Sequence, residues 1–125
     1  MTKMNGIYKC NICGNIIEVV SEGAGELSCC NQAMELLEAK ESGEGGAKHI
    51  PLISKEDDKI VVKVGEVQHP METEHHITFV ELKIGNQIYR ETLVGDEPKA
   101  VFDINAEIED IEAIEYCNLH GLWKS

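Results

Sequence analysis

Ile77-Thr78-Phe79-Val80-Glu81-Leu82-Lys83-Ile84-Gly85-Asn86-Gln87-Ile88-Tyr89-Arg90-Glu91-Thr92-Leu93-Val94 decides the fold class. Two apolar runs flank Gly85-Asn86, a pair suited to a two-residue hairpin turn. Ile77–Ile84 and residues 87–94 are therefore expected to pair as antiparallel strands. Phe79 and Val80 are neighbours and both apolar, which predicts a bulge or burial on both faces. Upstream, Ile60, Val62 and Val64 alternate with Lys59, Val61 and Lys63, the period of a half-buried strand. Asp57-Asp58 before them reads as a second hairpin turn. Downstream, residues 100–104 form a further strand. In 107–114 the spacing of Ile108, Ile111 and Ile114 suits a helix while the flanks suit a strand, and a strand is expected. Short strands with regular turns and no internal repeat predict a mainly β fold, an antiparallel sandwich.

Outward from that core, the chain of 125 residues has room for a small metal-stapled unit plus a domain of about 85–90 residues. Residues 1–37 are expected to be the small unit. Tyr8, Ile16, Ile17, Val19, Val20, Leu27 and Leu36 make only a small apolar cluster, so a bound metal must contribute stability. Strands are expected at Ile7–Lys9, 16–20 and 26–28, with Gly23 and Gly25 at a turn. Residues 38–125 form the second domain, and 38–46, polar and glycine-rich, read as a mobile connecting loop.

A formal net charge of −12 argues against nucleic acid as a partner, because counterion release needs a basic surface. No run approaches the ~18 apolar residues of a membrane span, and the first six residues carry no cleavage signature. No membrane association is expected, and the cytoplasm is the expected compartment. The five cysteines are odd in number and two are adjacent, so metal ligation suits them better than disulfides.

Four of them form one set: Cys10 and Cys13 in a C-x-x-C knuckle, then, after fifteen residues, Cys29 and Cys30. Four thiolates favour a tetrahedral iron or zinc ion, and Gly14 supports the tight turn after Cys13. A structural zinc ribbon usually carries two C-x-x-C knuckles, and no βαβ pattern surrounds this one as in a thioredoxin-like pair. The spacing resembles desulforedoxin, a rubredoxin-like iron–tetracysteine unit, across residues 1–37.

The second set is rich in imidazole: His49, His69, His75 and the closing Cys117-Asn118-Leu119-His120. Taken singly, each histidine reads as a surface or hydrogen-bonded residue. Together they lie on separate segments of a β-rich domain, with Pro51 and Pro70 stiffening the backbone beside two of them. The motifs C-x-x-C…C-C, K-H-x-P, H-P-M-x-x-x-H and E-Y-C-N-x-H-G-x-W occur in order over essentially the whole chain. On these the chain resembles the desulfoferrodoxins, the two-iron superoxide reductases.

The resemblance implies an immunoglobulin-like sandwich, a homodimer, and two iron ions per chain. One is bound by Cys10, Cys13, Cys29 and Cys30. The other is held equatorially by His49, His69, His75 and His120, with Cys117 axial. The implied reaction is one-electron reduction of superoxide to hydrogen peroxide without release of dioxygen, with rubredoxin or a similar small protein as electron donor. Lys48 is the expected catalytic residue, a local positive charge against an overall −12. Glu115 and Leu119 flank the thiolate ligand and are expected to modulate it, Leu119 through its backbone N–H. Ala47 stands where the family carries glutamate, so the carboxylate that reaches the oxidised iron there is missing. His76 matches no ligand position, and Trp123 is expected in the core. A pure electron carrier with saturated irons and a zinc-stapled structural domain are the rival readings.

Overall fold

The computed structural model describes all 125 residues and divides the chain into two compact units, Met1–Glu38 and Ala39–Ser125. In the first, β1 (Ile7–Lys9), β2 (Ile16–Glu18) and β5 (Glu35–Leu36) make an antiparallel sheet ordered β2-β1-β5. A separate hairpin joins β3 (Ser28–Cys29) to β4 (Gln32–Ala33). The expected strand at 26–28 thus starts later, and the chain reverses at once. Cys30 and Asn31 both take left-handed φ, 54° and 61°, the conformation of a two-residue type I′ turn. Ile7, Tyr8, Cys10 and Val19 are this unit's buried hydrophobic residues.

The second unit begins with a short helix, α1 (Gly46–His49), and continues through β6 (Pro51–Glu56), β7 (Lys59–Val64), β8 (Ile77–Ile84), β9 (Gln87–Thr92) and β10 (Lys99–Phe102). A 3-10 turn (Ile108–Asp110), β11 (Glu112–Cys117) and β12 (Gly121–Lys124) complete it. Sheets ordered β10-β7-β6 and β12-β11-β8-β9, antiparallel throughout, give the seven-stranded immunoglobulin-like sandwich. Ile60, Val62 and Val64 from one sheet and Ile77, Val80, Leu82 and Ala113 from the other form its core.

Local chemistry explains the turns. Asp57 and Asp58 adopt left-handed φ of 51° and 63°, and their short polar side chains tolerate it better than branched ones. Gly85, φ 61°, supplies the positive angle at the first loop position of the β8–β9 hairpin. A bulge is present on β8. Tyr116 pairs with Phe79 but Cys117 pairs with Ile77, leaving Thr78 as the extra residue. The bulge keeps Ile77 on the core side with Val80 and Leu82, all 0% exposed. Residues 107–114 divide: the spacing of three belongs to the 3-10 turn, and the strand begins at Glu112 and runs to Cys117. The 38–46 loop is tied down at Lys40, whose N–H donates to the Leu122 carbonyl at 3.0 Å and whose carbonyl accepts from Lys124 N–H at 2.8 Å.

Candidate metal centres

The first unit gathers Cys10, Cys13, Cys29 and Cys30 so that their sulfurs all lie within 4.8 Å of one another. The β1 end delivers Cys10, the knuckle closed by Gly14 N–H on the Cys10 carbonyl (2.9 Å) delivers Cys13, and the β3–β4 turn delivers the pair. Cys13 and Cys29 sulfurs stand 3.6 Å apart and those of Cys29 and Cys30 4.0 Å. A disulfide needs ~2.05 Å, whereas tetrahedral ligands ~2.3 Å from an ion stand roughly 3.8 Å apart. The thiols cannot all ionise unaided. The N–H groups of Cys13 and Ile12 hold Cys10 down to about 6, while the Cys13, Cys29 and Cys10 sulfurs push Cys30 up to about 12. A cation among them removes that conflict.

In the second unit four imidazoles stand in a closed cycle. Ring centroids are 4.6 Å apart for His49–His69 and His69–His75, and 5.0 Å for His75–His120 and His120–His49. Each ring meets the next edge to face at 72–80°. His49 ends α1, His69 lies on the β7–β8 connection, His75 precedes the β8 bulge, and His120 sits in the β11–β12 turn. Ligand atoms of His49, His69, His75 and Cys117 all lie within 4.8 Å of one another. His120 stands outside that mutual set, exposed, with Nδ1 3.8 Å from the Cys117 sulfur.

Backbone carbonyls decide which nitrogens face inward. His49 Nδ1 donates to the Gly45 carbonyl at 2.8 Å and His69 Nδ1 to the Pro70 carbonyl at 2.7 Å. A carbonyl only accepts, so both Nδ1 atoms carry the hydrogen and both Nε2 atoms present lone pairs. Burial holds His69 down to about 4 and lowers His49 as well, so both are neutral. Their Nε2 atoms nevertheless stand 3.1 Å apart. Two lone pairs at that distance repel. Two nitrogen ligands at right angles, each ~2.1 Å from an ion, stand roughly 3.0 Å apart. His75 Nε2 is buried with no hydrogen-bond partner, the condition of an atom whose partner is an ion. The donor set fits a nitrogen-rich transition-metal site.

Cys117 is fully buried, which raises its thiol pKa, while the N–H groups of Leu119 and His120 lower it. Leu119 itself is 61% exposed. Glu115 points from β11 to the same side as Cys117 and is buried, with neither carboxylate oxygen hydrogen-bonded. Burial pushes its pKa up to about 9, so it is held uncharged. Lys48 and Ala47 are exposed on α1, and the Ala47 carbonyl accepts from Val67 N–H at 2.8 Å. Gly65 packs where a side chain would meet that carbonyl at 2.8 Å, so the segments carrying His49 and His69 touch backbone to backbone. His76 lies outside the cycle and bonds the Glu72 carbonyl through Nδ1.

Asn118, which the sequence reading passed over, ties two ligand segments together. Its Oδ1 accepts from His76 N–H at 2.8 Å and its Nδ2 donates to the Glu74 carbonyl at 2.9 Å, beside His75. Its place between two ligands was the available signal.

The family model described as "Desulfoferrodoxin" matches residues 41–125, and that described as "Desulfoferrodoxin, N-terminal domain" matches 2–37. A desulfoferrodoxin homolog from Methanothermobacter thermautotrophicus is 49% identical over 124 residues, 98% of this chain and 99% of the relative. The structure of a superoxide reductase from Treponema pallidum superposes with a TM-score of 0.74 at 28% identity, covering 96% of each chain. One from Nanoarchaeum equitans gives 0.52 at 36% identity, covering 70% of this chain and 96% of that one. Both ligand sets fall within the matched residues, and the likeness to relatives runs the full length, so this chain belongs to the desulfoferrodoxin family.

Proposed function

We propose that this chain is a superoxide reductase with two iron centres, one at the four cysteines and one at the imidazole cycle with Cys117. The observation that carries the reading is the cycle itself: four imidazoles, His49 and His69 turned inward by backbone carbonyls, gathered beside a buried thiol. His120 completes the ligand set from the exposed side. When bound, the iron supplies one electron to superoxide, and product leaves as hydrogen peroxide once two protons arrive.

The chain's own residues do the rest. The Gly45 and Pro70 carbonyls fix tautomer and ring rotation, which raises the basicity of His49 and His69 toward the ion. The N–H groups of Leu119 and His120 favour the thiolate at Cys117 and temper its donation. The Lys48 ammonium, exposed one residue before a ligand, draws the anionic substrate in and orders water for proton delivery. Ala47 brings no carboxylate to compete there.

The two-domain division, 1–37 for the tetracysteine iron and 38–125 for catalysis, is part of the same proposal. So are a homodimeric state, a rubredoxin-like donor and a cytoplasmic location. No helix is long and apolar enough to cross a membrane. Metal analysis with an optical spectrum of the purified protein tests the metal assignment: two irons per chain are expected, and a colourless zinc protein would contradict it.

A further inference from the structure

We propose that Trp123 is a positioning residue for the imidazole cycle, holding His49 by its face and His120 by its backbone; this rests on the reading of those histidines as iron ligands. Trp123 lies on β12, 2% exposed, where bulk alone would make it a core residue. Its contacts go further. Its ring stacks on the His49 imidazole with centroids 4.9 Å apart and planes 18° from parallel. Its Nε1–H donates to the His120 carbonyl at 3.2 Å. His49 and His120 are neighbours in the cycle, so one side chain restrains two adjacent corners.

The restraints are complementary. The Gly45 carbonyl on Nδ1 fixes how far the His49 ring rotates, and the stacked indole limits its tilt. Space is tight: a Cβ on Gly45 would stand 3.4 Å from His49 Nδ1 and 3.9 Å from Trp123 Cη2, and its φ of 87° disfavours any side chain. His120 is exposed and lacks such packing, so the indole bond to its carbonyl closes the turn that carries it.

Trp123 is held in turn. Lys40 makes backbone hydrogen bonds to Leu122 and Lys124, the residues on either side of it, and lays its ammonium over the indole at 5.1 Å from the centroid. Groups that orient metal ligands typically alter metal affinity 10–100-fold when removed.

The test compares the full-length protein with Trp123→Phe and Trp123→Leu variants. Ferrous-iron affinity at the histidine centre is measured by chelator competition, together with the optical spectrum of the oxidised centre. Thermal unfolding monitors the fold. Phenylalanine keeps a ring to stack on His49 but loses the N–H donor; leucine loses both. Affinity should fall in the order wild type, Phe, Leu, with about a 10–100-fold loss for Leu and a shifted spectrum in both. Either variant, folded, matching the wild type in affinity and spectrum overturns the proposal. Should the leucine variant not fold, the phenylalanine variant decides alone. Wild-type protein that holds no iron at the histidines would instead overturn the functional reading beneath it. As the chain's single tryptophan, Trp123 adds a direct readout, because iron on the stacked imidazole should quench its fluorescence in the wild type.

Discussion

The Lys48 ammonium lies on α1 immediately before the ligand His49, exposed to solvent. A single charge ~6 Å from an approaching anion, discounted for screening, is worth about five- to thirty-fold in capture rate. Lys48→Ile should slow the bimolecular reaction with superoxide by that factor and weaken its dependence on ionic strength, both read by pulse radiolysis. Equal rates would remove Lys48 from the chemistry. Glu115 poses the opposite case, a carboxyl kept neutral. Its folded pKa, about 9, lies above the unfolded value, so the folded state binds the extra proton. Its contribution to stability is intact in acid and is lost as pH rises toward 9. Glu115→Gln removes that titration, so thermal stability should fall less from pH 5 to pH 9 in the variant than in the wild type.

At the level of elements, short polar ties add to the sandwich core, which itself includes Cys117, in holding the ligand segments. Asn118 is the clearest, bonding backbone groups of Glu74 and His76 on either side of His75. Asn118→Ala should cost about 1–3 kcal/mol in unfolding free energy and about 10–100-fold in iron affinity at the histidine centre. Denaturant titration and chelator competition measure the two. This tie shows where sequence reading stops. The C-x-x-C and C-x-x-H spacings announce ligands because those residues are local, and apolar runs flanking Gly85-Asn86 announce β8 and β9 for the same reason. The Asn118 tie, the Trp123 stack and the Lys40 latch depend on residues far apart in the chain, which no local period encodes. Cys30-Asn31 was hidden differently: its left-handed turn lacks the glycine that usually marks one. The bulge at Thr78 was half visible, in the adjacent Phe79 and Val80. Position 107–114 misled because two elements share one apolar spacing.

Across the whole molecule, a net charge of −12 sets a general repulsion against an anionic substrate, so capture must rely on local positive charge. The two units carry separate ligand sets, and their irons should be separable. Cys13→Ser should abolish the tetracysteine absorption and destabilise the first unit, whose few buried apolar residues lean on the metal. Iron content should halve while superoxide reduction persists; loss of activity with the histidine iron retained would show that the first unit is needed for chemistry. The most direct test mixes the ferrous protein with a known dose of superoxide and follows peroxide and dioxygen together. The account predicts rapid oxidation of the histidine-ligated centre, one peroxide formed per superoxide consumed, and no dioxygen. Dioxygen released alongside peroxide, or a centre indifferent to superoxide, would contradict it.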